Sequence, residues 1–226
     1  MMKGLKESAL ALAVAAAGVS SNGALAEDVK AHGHYTVVAT GPVEEFRAEY
    51  VRLRDLAAEA DAAGDVARRE YYLDELGSIP MEEKWNDTWF PNLVTTAGKN
   101  DLLDKYFAGS AYTAAWYLGL VDGGSAPTYA AGDTASSHAG WTEFVNYAAA
   151  TRPAPTFNAA ASSSKATTAT AFAINGAGGV VAGCFMITNS TKSGTTGILY
   201  SCGSFTGGNK TVANGDTLNV TYTAGA

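Results

Sequence analysis

Three histidines, two cysteines and a handful of carboxylates are the residues best placed by type and spacing to do chemistry in this 226-residue sequence. His32 and His34 stand two apart, which on a strand puts both rings on one face, a spacing that metal sites use. A site needs further ligands, and the remaining histidine, His138, lies about 100 residues on in a loop-like segment. The pair therefore reads as surface histidines, and no metal site is expected. Asp122 and Glu143 could serve as the acid pair of a glycosidase, but nothing in the sequence brings them together. Asp122, Asp133 and Asp216 lie near turn glycines, where aspartate has a conformational role.

Phosphate and nucleophile signatures fail in the same way. Gly176-Ala177-Gly178-Gly179-Val180-Val181 has valine where a dinucleotide fingerprint needs its third glycine, and it lies between strands rather than opening a helix. Gly98-Lys99-Asn100 lacks the rest of a phosphate loop, and no Gly-x-Ser-x-Gly elbow is present. The sequence thus predicts no enzymatic activity and no cofactor.

Cys184 and Cys202 carry a geometric expectation. If residues 180–188 and 197–206 form a hairpin around Ser193, the two cysteines lie directly opposite across the ladder, or nearly so, as a cross-strand thiol pair. Two packed thiols are the favoured reading; a disulfide requires a specific dihedral.

The elements that must position these residues divide by charge. Residues 1–26 carry net +1, residues 27–90 net −8, and residues 91–226 net 0. An acidic chain without a basic patch is a poor partner for nucleic acid, whose phosphates demand Lys and Arg. Charged residues are only 16% of the chain while hydrophobic residues are 47%, enough for a sizeable core.

Along the chain, Leu5 to Val19 is Ala-rich and follows Lys3 and Lys6. Ala24-Leu25-Ala26 before Glu27 resembles a signal-peptide cleavage site. The preferred reading is a helical N-terminal arm over residues 1–30, with Leu5, Leu10, Leu12, Val14 and Val19 as its contact residues. The apolar run is shorter than the ~20 residues that span a bilayer, so no membrane partner is expected. Residues 32–40 read as a strand ended by Gly41-Pro42. Val43 to Ala63 shows helical periodicity in Val43, Phe46, Tyr50, Leu53, Ala57 and Ala60. Asp65 caps a second helix to Leu76. Since strand-like segments 34–40 and 84–90 flank these helices, the region of about 43–80 reads as a helical hairpin inserted into a β-hairpin. Residues 92–121 read as a short strand, a helix Leu102 to Phe107 opened by Asn100-Asp101 and closed by Gly109, and a strand. That strand's heavy face is Tyr112, Ala114, Trp116, Leu118 and Leu120. From Ala166 onward strands at Ala166–Ile174, Val180–Thr188, Gly197–Thr206 and Thr217–Tyr222 alternate with Gly- and Asn-rich turns. This pattern predicts an antiparallel sandwich or barrel.

Residues 92–121, Ser136-Ser137-His138-Ala139-Gly140-Trp141-Thr142-Glu143, Arg152-Pro153, Gly183-Cys184-Phe185, residues 194–201 and residues 215–222 are similar to a family of capsid cement (decoration) proteins of tailed bacteriophages. The resemblance covers residues 30–40 and 84–226, and the helices at 43–80 depart from it. It implies a mainly β, jelly-roll-like antiparallel β-sandwich body over residues 31–226. It also implies a virion protein, assembled in the host cytoplasm, that binds the outside of the icosahedral shell. Its partners would be the major capsid protein and copies of itself, as dimer or trimer. No active site is implied. The alternative is a tail or head-fibre adhesin that binds a host-surface glycan. Trp85, Trp89 and Trp141 would be its stacking platforms, although core positions are the default for such residues. A third reading, a secreted bacterial β-domain, predicts a mature chain starting at Glu27.

Overall fold

A computed structural model of the chain describes residues 31–107 and 115–225. The expected arm contacts Leu5, Leu10, Leu12, Val14 and Val19, and likewise Gly109, Tyr112 and Ala114, lie outside the described residues.

The chain enters β1 (His32–Pro42), where buried Tyr35, Val37 and Ala39 alternate with outward-facing residues, the period-two pattern of a strand with one wet face. After a 3-10 turn at Glu44–Phe46 come α1 (Arg47–Ala62) and α2 (Val66–Gly77), and then β2 (Met81–Pro91). β2 pairs antiparallel with β1, and Pro42 stands opposite Met81. The two helices are therefore an insertion at the closed end of a β-hairpin, as the flanking segments predict. Leu53, Ala57 and Ala60 form the buried stripe of α1. Asp65 caps α2 by accepting a bond from the Arg68 backbone N–H at 3.0 Å.

Next follow β3 (Leu93–Val94), α3 (Thr96–Phe107), β4 (Tyr117–Asp122) and β5 (Glu143–Phe144). They are succeeded by β6 (Ser164–Ala166), β7 (Thr170–Ala173) and β8 (Gly179–Ile187). The chain then forms β9 (Leu199–Ser204), β10 (Lys210–Val212) and β11 (Thr217–Gly225). The described residues are mainly β, with three α-helices and two antiparallel sheets. One sheet runs β2-β1-β11-β6, with β7 also on β11; the other runs β3-β9-β8-β4-β5, with β10 also on β8.

The main core lies between the sheets: Tyr35, Phe90, Phe172 and Leu218 from the first meet Leu118, Leu120, Cys184 and Met186 from the second. The second sheet is covered on its other face too, where Trp141 and Ala135 pack on Phe185, Ile187 and Cys202. Burial on both faces explains why β8 is nearly continuously apolar rather than alternating.

Three expectations are corrected. α3 starts at Thr96, six residues before Leu102, because Thr95 rather than Asn100-Asp101 caps it: Thr95 Oγ1 accepts from the Gly98 N–H at 3.0 Å. The single strand expected over Ala166–Ile174 is two short ones, β6 and β7, both paired with β11. The cross-strand thiol pair does not form. Ile187 faces Leu199 in the expected register, but Tyr200 is an extra residue in β9. Beyond this bulge the ladder is shifted by one, so Cys184 faces Gly203 and Cys202 faces Phe185. A one-residue slip exchanges the faces of a strand, and the two thiols end in different clusters.

Candidate docking face

α3 is positioned by its N-terminal turn. Besides capping the helix, Thr95 Oγ1 donates to the Leu199 carbonyl in β9. Gly98 lies flat on the next residue, where a Cβ would come within 2.6 Å of the Tyr200 carbonyl oxygen. Only glycine permits that approach, and it presses the start of the helix onto the sheet. Among the described residues, the far half of the helix has no such cover. Leu102, Leu103, Tyr106 and Phe107 are 47%, 52%, 80% and 77% exposed. They fall at i and i+4 in two pairs and so form one helix face. The Tyr106 and Phe107 rings pack edge to face at 4.9 Å.

Beside this face is a groove of ≈ 170 Å³, its walls including Leu102, Trp116, Phe157, Met186 and Tyr200. Trp116 meets Tyr200 edge-on at 5.3 Å. Asp101, Lys105 and Lys165 supply its charges. Lys165 donates to the Asn158 carbonyl at 2.8 Å, and Lys105 lies 3.9 Å from Asp101. Burial pushes the Tyr200 and Tyr222 phenols above their ordinary range. The groove therefore offers neutral rings and methylenes, suited to apolar contact rather than to proton transfer.

The candidates for chemistry are dispersed or already engaged. Glu143 accepts two bonds from Arg152, Nε to Oε1 and Nη2 to Oε2, each at 2.9 Å. It also accepts from the Ser193 N–H. Asp122 Oδ1 accepts from the Gly124 N–H at 2.7 Å in a turn. Both carboxylates are thus held by hydrogen bonds within the protein. His138 stacks on Trp141 at 4.1 Å, whereas His34 stacks on Trp89 at 3.5 Å. Among the described residues no group of three or more His, Cys, Asp or Glu is arranged to hold a metal ion. No helix among them is long and apolar enough to cross a membrane. Of the tryptophans, Trp141 is buried, Trp85 packs against the core, and Trp89 is 72% exposed.

Sequence reasoning places Leu102 to Phe107 on a helix but does not single out its outer face. The two i,i+4 apolar pairs were the available signal. Comparison of the chain with family models, curated proteins and solved structures returns no match.

Proposed function

We propose that this chain is a structural virion protein that binds the outer surface of a tailed-phage icosahedral capsid and bridges major capsid subunits. The observation that carries this reading is the open apolar face of α3 beside its groove. Contiguous apolar surface of this kind marks an interaction site. The resemblance set out above supplies the partner. The two sheets around one core support a jelly-roll-like sandwich as the body, and residues 1–30 would act as an arm on a neighbouring subunit. Each contact is modest, and stabilisation against internal DNA pressure comes from repetition around the shell. This role calls for no catalysis and no cofactor.

Particles lacking the chain should release DNA at a lower temperature than complete ones. Adding back full-length protein should restore the difference, and adding back Leu103→Glu/Phe107→Glu protein should not. Equal release temperatures with and without the chain would count against a cementing role.

A further inference from the structure

On the edge strand β2 of the first sheet, Trp89 is held in a conformation that its side chain disfavours. Thr88 and Trp89 together oppose the single residue Thr36, where the β1–β2 register shifts. Trp89 takes φ +61°, and its N–H reaches Thr36 Oγ1 at 3.4 Å. In such bulges the left-handed position is normally glycine, and a bulky residue there is a true outlier. The bulge turns the indole outward, and the His34 ring lies 3.5 Å behind it, within 13° of parallel. One face of the indole is thus braced, and the residue as a whole remains largely exposed.

A second strained element faces it. Ala161 and Ser164 bond to each other across a two-residue turn. The central residues, Ser162 and Ser163, have φ +49° and +56°. This is the type I′ turn, for which Asn-Gly is the favoured pair. Two serines keep hydroxyls where that pair would be less strained.

Trp89, His34, Ser162, Ser163 and Thr223 share a cavity of ≈ 200 Å³ with His32 and Gly225. Gly225 leaves room for the His32 ring, whose Nε2 would lie 2.4 Å from any Cβ added there. None of the lining residues is Asp, Glu, Lys or Arg. The site combines an outward aromatic plane, a ring of hydroxyl and imidazole groups, and no fixed charge. Strain held at a ligand-sized concavity is a pointer to function.

We infer that this cavity binds a neutral pyranose ring, with the sugar's C–H face on the open side of Trp89 and its hydroxyls on Ser162, Ser163 and Thr223. The apolar face and polar rim of a sugar match an amphipathic aromatic site. On a virion subunit, such a site would hold the particle against a saccharide-coated cell. Sugar binding itself is separate from capsid binding, while its use on a particle rests on the virion reading.

The test is titration of the full-length protein with methyl β-glucopyranoside, methyl β-galactopyranoside and N-acetylglucosamine, read by isothermal titration calorimetry, which needs no signal from Trp89. At least one should bind saturably in the millimolar range. Trp89→Gly, which suits the positive φ, should melt no lower than wild type and bind roughly tenfold weaker or worse. The Ser162→Asn/Ser163→Gly pair should raise the melting temperature and weaken binding. Absence of saturable binding for all three sugars, or binding untouched by both variants, would overturn the assignment. Particle stability is measured separately, so failure here leaves the capsid role standing, and the reverse also holds.

Discussion

Cys184 and Cys202 lie on adjacent strands one position out of register and point to opposite faces of the six-stranded sheet. Both are fully buried. Burial raises the Cys184 thiol well above its ordinary range and pushes Cys202 up to about 12. The thiolate is the reactive form, so both should be inert in the folded state. A thiol reagent at neutral pH should modify neither on the timescale of an exposed cysteine and should titrate two once denaturant is added. An intrachain disulfide found by intact mass under mild oxidation, with the fold retained, would contradict this register.

The Arg152–Glu143 pair joins β5 to two loops, because Arg152 also donates to the Asn189 carbonyl at 2.9 Å and its backbone N–H to that of Ser190 at 2.7 Å. The two side chains are 3% and 4% exposed, and the guanidinium lies over the Phe185 ring at 5.2 Å. Removing one member of a buried pair strands the other charge, at a cost of about 3–5 kcal/mol, whereas apolar replacement of both is often nearly neutral. Arg152→Ala should therefore lose about that much in urea unfolding. Arg152→Met/Glu143→Leu should recover most of it. If the double variant proves no better than the single one, the carbonyl bonds of Arg152 carry the stability instead.

The inserted helices are tied to the β-body through Arg47, which donates to Asp216 Oδ1 and to the Asn214 carbonyl, each at 2.9 Å. Asp216 is buried and also accepts from the Ala213 N–H. Replacing residues 43–80 by Asn-Gly should leave a folded body, since Pro42 and Met81 already face each other as hairpin partners. The shortened protein should lose about 1–3 kcal/mol at the abandoned carboxylate, and Asp216→Asn should restore part of it. Loss of the near-UV circular dichroism signal in the shortened chain would show that the helices belong to the core.

What could be read from the sequence was whatever repeats locally. Tyr35, Val37 and Ala39 alternate, so β1 is plain; Leu53, Ala57 and Ala60 keep helical spacing, so α1 is too. The flanking strands disclosed the insertion because closing a hairpin is the simplest way to return the chain. Tyr200 was not legible, because a bulge is a tertiary accommodation with no residue signature of its own, and it alone moved Cys202 away from Cys184. Thr95 was passed over for Asn100-Asp101, since both are acceptable caps and only the contact of Gly98 with Tyr200 chooses between them. Trp89 defied its type. As a large aromatic it is expected in the core, yet beside the inward-facing Phe90 it stands outward in a left-handed conformation.

The His34–Trp89 stack gives the molecule a pH-dependent optical signature. Partial burial, and next the charge of His32, lower the pKa of His34 below its ordinary value of 6.5. A folded-state pKa below the unfolded one means that the unfolded chain binds the extra proton first. The stabilisation is therefore complete above about pH 6.5 and is lost as pH falls through the lower folded value. An imidazolium stacked on an indole quenches its emission, so Trp89 fluorescence should drop on acidification with a midpoint below 6.5. A second histidine, His138, stacks on Trp141, so the His34→Gln variant supplies the baseline to subtract. The wild-type-minus-variant difference should titrate as a single group, and the melting temperature should fall less steeply with acid in the variant. A difference midpoint above 6.5 would mean that the imidazolium is favoured at this position. Trp89 would then be acting on His34 as a cation–π partner rather than as a desolvating wall.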